Sequence, residues 1–213
     1  MQFQGFIEED VFYFDPIEKA AWTTPEIPSW LITEPRHRFL YCRINDDYSP
    51  RGKIPYDFDR PFYFMMAKFI SEQHHRYDMM WHERYKLALK KSSGKYQRSN
   101  AEIESLMGTD VCERLRRLNS DWAAIFADQA ARYKPSQFAF KDPDILAYGN
   151  QRFSFFELKS KGEGFQPFQL ESLAVLKHCV PCSHVRVIRT LAHGSTYTPL
   201  QHAYSIEIPE DLL

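Results

Sequence analysis

Cysteine is scarce in this sequence. Four cysteines in 213 residues, at positions 42, 112, 179 and 182, are too few for a disulfide scaffold, and no secretory apolar segment precedes them. No run approaches the length of a membrane-spanning helix. The expectation is a soluble, reduced, cytoplasmic protein without a membrane partner. Net charge is also nearly absent, at −1, so a polyanionic partner must be met by a local patch and not by the field of the whole molecule. There are no internal repeats and no low-complexity tracts. What is abundant is aromatic: 15% of the residues are Phe, Trp or Tyr, within a hydrophobic share of 44% and a charged share of 26%. That balance supports a packed core and excludes a disordered chain.

Residues 1–56 combine aromatics with prolines. Phe6 to Phe14 and Arg36 to Ile44 read as strands, while Pro16, Pro25, Pro28 and Pro35 break the stretch between them, as in a small sheet or a wrapping arm. Arg60 to Lys91 reads as a long helix with Asp59 at its cap and Pro61 in its first position. Phe62, Met66, Phe69, Ile70, Tyr77, Met80, Trp81 and Tyr85 recur near helical spacing, as on a core-facing stripe. His75 and His82 are two turns apart, which is not the one-turn spacing of a paired metal site. From Arg84 to Arg98 the charges are all positive. Lys90, Lys91, Lys95 and Arg98 there suit either a solvated helix end or a phosphate-contacting patch, and the sequence leaves both open.

From residue 110 the pattern is more regular. Asp110 to Tyr133 predicts an amphipathic helix on Val111, Leu115, Leu118, Trp122, Ile125 and Phe126, opened by a capping box of Asp110 and Glu113. A short strand at Ser136 to Phe140 precedes two further strands within Lys141 to Lys159. A helix from Pro167 to about His178, a strand at Val185 to Thr190 and an edge strand at Tyr204 to Ile208 follow. The expected fold is α/β (α+β), a mixed central sheet flanked by helices in the order α-β-β-β-α-β. Cys179 and Cys182, in C-V-P-C, follow a helix and precede a strand, and read as two incidental thiols in a turn and not as a zinc or redox motif.

The stretch K-D-P-D-I-L-A-Y-G-N-Q-R-F-S-F-F-E-L-K carries the chemistry. Period-two alternation points Glu157 and Lys159 to one face, and a hairpin brings Asp144 beside them. Two carboxylates close together do not both stay ionised without a cation between them. A hard divalent ion would take oxygens from Asp144, Glu157 and the backbone carbonyl of Leu158. It would polarise a phosphoryl oxygen and acidify a bound water, with Lys159 orienting that water or stabilising charge on the transition state. The same spacing also suits an exposed hairpin with a cross-strand Asp–Lys pair.

Pro143-Asp144 followed by Glu157-Leu158-Lys159 resembles the PD-(D/E)XK nuclease signature. Gln169-Leu170-Glu171-Ser172-Leu173 resembles the glutamine-bearing helix of the VRR-NUC and Holliday-junction-resolvase branches. The likeness covers roughly residues 105–192. It implies a restriction-endonuclease-like core at 101–213 behind an N-terminal extension at 1–100, and a Mg²⁺- or Mn²⁺-dependent endonuclease acting on DNA, including structured or branched DNA. An RNA endonuclease, or a catalytically silent nucleic-acid- or protein-binding module on the same fold, are the alternatives. By this resemblance Asp144 and Glu157 are metal ligands, Lys159 is the catalytic lysine and Gln169 a helix residue near the active site. Glu113 matches the glutamate that many members place on the helix before the sheet, a role its capping box would exclude. Lys161 could reach a phosphate flanking the scissile bond; Arg152 reads as surface charge. Asp142 departs from the small residue usual before Pro-Asp, and Gly162-Glu163-Gly164 from the usual segment before the helix, where Glu163 stands in for an acidic residue. Such nucleases often pair as two-fold dimers, so a homodimer is a further expectation.

Overall fold

A computed structural model of the chain describes residues 1–15, 66, 69–70, 72–74, 77, 79–82, 97–130, 132–134 and 138–213. The described strands form one mixed sheet of six. In chain order they are β1 (Gln2–Phe14), β2 (Met79–His82), β3 (Ile145–Gly149), β4 (Arg152–Ser160), β5 (His184–Ala192) and β6 (Gln201–Glu207), and across the sheet they run β2-β3-β4-β5-β1-β6. Helices α1 (Gln97–Met107), α2 (Thr109–Ser120), α3 (Trp122–Ile125) and α4 (Ala127–Ala130) precede β3, and α5 (Gln169–Cys179) joins β4 to β5. β4, β5 and β1 are mutually parallel; β2, β3 and β6 run antiparallel to their neighbours. Among the described residues no helix is long and apolar enough to cross a membrane.

β3 and β4 make a two-residue hairpin through Asn150 and Gln151, both at positive φ (51° and 60°). A turn with both central residues left-handed follows the twist of the flanking strands. The hairpin fixes the register Leu146↔Phe155 and Ile145↔Phe156, and so decides which side chains share a face. Leu146, Phe155, Val187, Tyr204 and Ile206 lie on one face and are buried in the same core as Leu173 and Leu176 of α5. The opposite face carries Phe156, packed edge-on to Tyr77 at 6.3 Å, and Ser154, whose hydroxyl accepts a hydrogen bond from Tyr77 at 3.2 Å.

Several elements differ from those read in the sequence. Met79–His82, expected inside a helix, is a strand because Met80 and Trp81 are both buried, Met80 opposite Ala147 and Trp81 opposite Leu146. The rest of Arg60 to Lys91, and the strand at Arg36 to Ile44, lie largely or wholly outside the described residues. β1, expected in a separate extension, is inside the sheet between β5 and β6. The helix at 110–133 is divided at Asp121 and Phe126. Asn119, Ser120 and Asp121 offer the backbone local polar partners, and Ser120 Oγ donates to the Arg117 carbonyl at 2.8 Å. The break lets Trp122 and Phe126 both pack against Phe168, at 6.1 and 5.5 Å. Positions 138–140 form no strand. Phe138 and Phe140 alternate because they pack on Phe168 (4.8 Å) and Trp122 (5.6 Å), not because a neighbour pairs with them. Among the described residues from 97 onward the order is therefore four helices, two strands, helix, two strands and a closing 3-10 turn at Glu210–Leu212, and not α-β-β-β-α-β.

Candidate active site

At one end of the helix-covered face, charged side chains replace the apolar core. Glu157 and Lys159, alternate residues of β4, are both buried, at 3% and 2% exposure. Apolar residues of the same strand, Phe153 and Phe155, fill the face up to that point. The pair sits where α5 begins, and α5 supplies the third member. Lys159 Nζ donates to Gln169 Oε1 at 2.7 Å and stands 3.0 Å from Glu157 Oε1, while Gln169 Nε2 donates to that same Glu157 oxygen at 2.7 Å. One amide thus binds both charged groups, its oxygen on the ammonium and its nitrogen on the carboxylate. The backbone N–H of Gln166 adds a second donor to Gln169 Oε1 at 2.8 Å and fixes the orientation of the amide. Phe168, left-handed at φ 66°, turns the chain into α5 so that Gln169 lies in its first turn.

Asp144 precedes β3 and accepts the Leu158 N–H on Oδ2 at 2.8 Å, which ties the mouth of β3 to the middle of the Glu157–Lys159 segment. Burial, and after it the charge of Asp144, push the Glu157 carboxyl up to about 7, against the opposing pull of Lys159. The two carboxylates therefore feel one another across the hairpin, as expected of acids that share a site. Lys159 Nζ also stands 3.5 Å from Glu163 Oε1 and 5.5 Å from the Phe165 ring. Glu163 accepts the Ser160 N–H on its other oxygen at 3.0 Å, and this bond holds its carboxyl below the usual range despite some burial.

The residues singled out in the sequence divide sharply. Asp144, Glu157, Leu158, Lys159 and Gln169 come together. Glu113 does not. It is exposed on α2, and its charge acts on Arg116 of the same helix. Among the described residues it has no contact with the Glu157 group. It forms no capping box either, because the helix starts earlier, at Thr109 after Gly108, and no side chain bonds its end. Lys161 is exposed on the turn after β4. Lys90, Lys91 and Lys95 lie outside the described residues, as does the side chain of Arg98. Cys179 is buried, which raises its thiol to about 11, and Cys182 is exposed.

Two residues that the sequence did not single out border the site. Arg189 lies beside Lys159 in register on β5, and its Nε donates to Glu9 Oε1 of β1 at 2.8 Å. Both are nearly fully buried. The one sequence signal was an arginine inside the apolar strand V-R-V-I-R-T and a glutamate inside the aromatic strand at 6–14.

Among the described residues no group of three or more His, Cys, Asp or Glu side chains is placed to hold a metal ion. A hard divalent cation at this site would have two carboxylates to bind, Asp144 and Glu157, and would need backbone carbonyl and water to complete its shell. Glu157 fits that use in one respect: both of its hydrogen bonds go to Oε1, which leaves Oε2 without a donor among the described residues. No model of a known protein family matches the chain, and no curated protein matches its sequence.

Proposed function

We propose that this chain is a metal-dependent phosphodiester hydrolase, an endonuclease acting on DNA, with a restriction-endonuclease-like arrangement of β3, β4, α5 and β5. The observation that carries the proposal is the buried Glu157–Lys159–Gln169 group with Asp144 across the hairpin. Burying an acid and an ammonium beside a second, half-buried acid is costly unless their charges are used or closely compensated. A site that must gather a cation and a phosphodiester has a use for both signs.

Asp144 and Glu157 would hold Mg²⁺ or Mn²⁺ with the Leu158 carbonyl. When bound, such an ion polarises a phosphoryl oxygen and acidifies a coordinated water. Lys159 carries the positive charge that stabilises negative charge developing on the scissile phosphate. Gln169 keeps the ammonium and the Glu157 carboxylate in fixed relation, so that neither reorganises during the reaction. Lys161, exposed on the turn, would meet a flanking phosphate on this reading.

The test is cleavage of branched, single-stranded and linear DNA, and of matched RNA, by purified protein with Mg²⁺ or Mn²⁺. The expected result is cutting that chelator abolishes and Lys159→Ala removes. Absence of cutting on every substrate, or a Lys159→Ala variant as active as wild type, overturns the proposal. RNA cut in preference to DNA would reassign the substrate and keep the reaction. A second reading, a silent binding module on the same fold, draws on Glu157 Oε1 being already engaged by Lys159 and Gln169. It requires nucleic-acid binding that Glu157→Ala leaves intact.

A further inference from the structure

We propose that Arg189, locked by Glu9, is a positioning residue for the Lys159 site. It clamps the turn after β4, which carries Glu163 to the Lys159 ammonium. The inference rests on reading Asp144, Glu157 and Lys159 as a hydrolytic site.

The turn has little else to hold it. Residues 160–164 are all exposed, and Gly162 takes a left-handed φ of 76°. Within the turn, the Glu163 N–H donates to the Ser160 carbonyl at 3.1 Å and the Ser160 N–H to the Glu163 side chain at 3.0 Å. Besides the pairing of Ser160 with Thr190 and the approach of the Glu163 carboxylate to Lys159, its tie to the sheet is the Arg189 guanidinium. Nη1 donates to Ser160 O at 2.6 Å and to Glu163 O at 2.7 Å, the two carbonyls that bracket Lys161 and Gly162.

Arg189 is itself fixed from behind. Its Nε donates to Glu9 Oε1, and the other Glu9 oxygen accepts the Tyr197 hydroxyl at 2.6 Å and the Leu200 N–H at 3.0 Å. Strand β1 and the β5–β6 connection thus converge on one guanidinium. A planar fork locked on one edge presents its remaining donors in a set direction, which a lysine ammonium does not reproduce. Arg189 is 5% exposed, so it is not a substrate contact. Its effect must pass through the turn, and from there through Glu163 to Lys159, which stand 3.5 Å apart.

The test compares wild type with Arg189→Met/Glu9→Gln, which removes both charges and leaves no lone buried carboxylate, with Arg189→Lys, and with Glu163→Gln alone and combined with the first. All are assayed well below their melting temperatures. The expected result for Arg189→Met/Glu9→Gln is a fall in kcat of about 10- to 100-fold with KM nearly unchanged. Adding Glu163→Gln should cost nothing further, because both changes break one path. Arg189→Lys should recover only part of the loss. Amide exchange at Glu163, followed by mass spectrometry or NMR, should quicken by about tenfold, the worth of one hydrogen bond. Unchanged kcat, a loss that falls on KM, or losses that multiply with Glu163→Gln overturn the inference. If the wild type cleaves no nucleic acid, the hydrolytic reading falls and exchange decides alone. Quickened exchange at Glu163 then supports the clamp, and unchanged protection overturns it. Arg189→Lys keeps the test open should the double variant not fold.

Discussion

The Lys159 ammonium stands 3.0 Å from Glu157 Oε1 although both side chains are buried on the same face of one strand. Alternate residues of a strand project side by side, so a short reach joins them. The bond is bought at the cost of removing both charges from water. Gln169 reduces that cost by serving each of them, and Asp144 raises it by adding a second negative charge nearby. Under the proposed function, an arriving cation would relieve the repulsion between the two carboxylates.

Lys159→Met should lower cleavage about 10²- to 10³-fold, the usual loss when a preorganised charge-stabilising donor is removed. Steady-state assays under saturating Mn²⁺ check it. A loss below threefold would remove Lys159 from the chemistry.

Glu157→Gln should gain stability relative to the wild type as pH rises from 5 to 8 in the metal-free protein. Burial, and after it the Asp144 charge, push the folded-state carboxyl up to about 7, above the ordinary 4.5. Its contribution to stability is therefore full below the ordinary value and is lost as pH rises through 7. The neutral amide escapes that loss, so the difference between the two proteins should move in the variant's favour by on the order of 1–3 kcal/mol between pH 5 and pH 8. Thermal melts at both pH values measure the difference. Mn²⁺ should raise the melting temperature of the wild type and leave that of Glu157→Gln unmoved.

Glu9 should show the opposite pH dependence. Burial alone would raise its pKa, but the Tyr197 hydroxyl, the Leu200 N–H and Arg189 outweigh burial and hold it below the usual value. Its stabilising effect is full above the ordinary carboxylate range and is lost as pH falls through the depressed folded value. Acid unfolding of the wild type should therefore be steeper than that of Arg189→Met/Glu9→Gln, as read by circular dichroism between pH 6 and pH 2. Parallel acid transitions would count against this account of Glu9.

Gly5→Ala should cost about 1–3 kcal/mol, as overpacking does. A Cβ at Gly5 would lie 2.7 Å from the Tyr204 hydroxyl and 3.0 Å from its ring. Tyr204 is buried, and its hydroxyl is bonded to His178 Nε2 at 2.9 Å, so the ring has little freedom to retreat. Urea melts test this, and Gly5→Ala combined with Tyr204→Phe should recover part of the loss. A wild-type midpoint for Gly5→Ala would show that the ring moves freely.

The hairpin and the group around Glu157 were legible in the sequence because the rules that place them are local. Period two sets Glu157 with Lys159, a tight turn returns the chain to Asp144, and Gln169 opens a helix a few residues on. Met79–His82 misled because its apolar residues fit a helical repeat as well as a strand buried on both faces. Phe138 and Phe140 misled by alternating without a pairing partner. Glu113 matches a family glutamate by resemblance and a capping box by its distance from Asp110, but the helix begins at Thr109 and presents that side chain to solvent. The Glu9–Arg189 pair was out of reach for another reason. No local period connects residues so far apart in sequence, and only the parallel pairing of β1 with β5 brings them together.

The position of β1 also bears on how the molecule is made. Residues 2–14 pair on one side with β5, which ends at 192, and on the other with β6, which ends at 207. During synthesis this aromatic strand leaves the ribosome long before either neighbour exists, and must wait with both edges unpaired. Sheets closed by such distant pairing fold slowly and expose strand edges meanwhile. Three charges, Glu8, Glu9 and Asp10, of which Glu9 later locks Arg189, lie in the middle of that waiting strand, where they also oppose its pairing with another copy of itself.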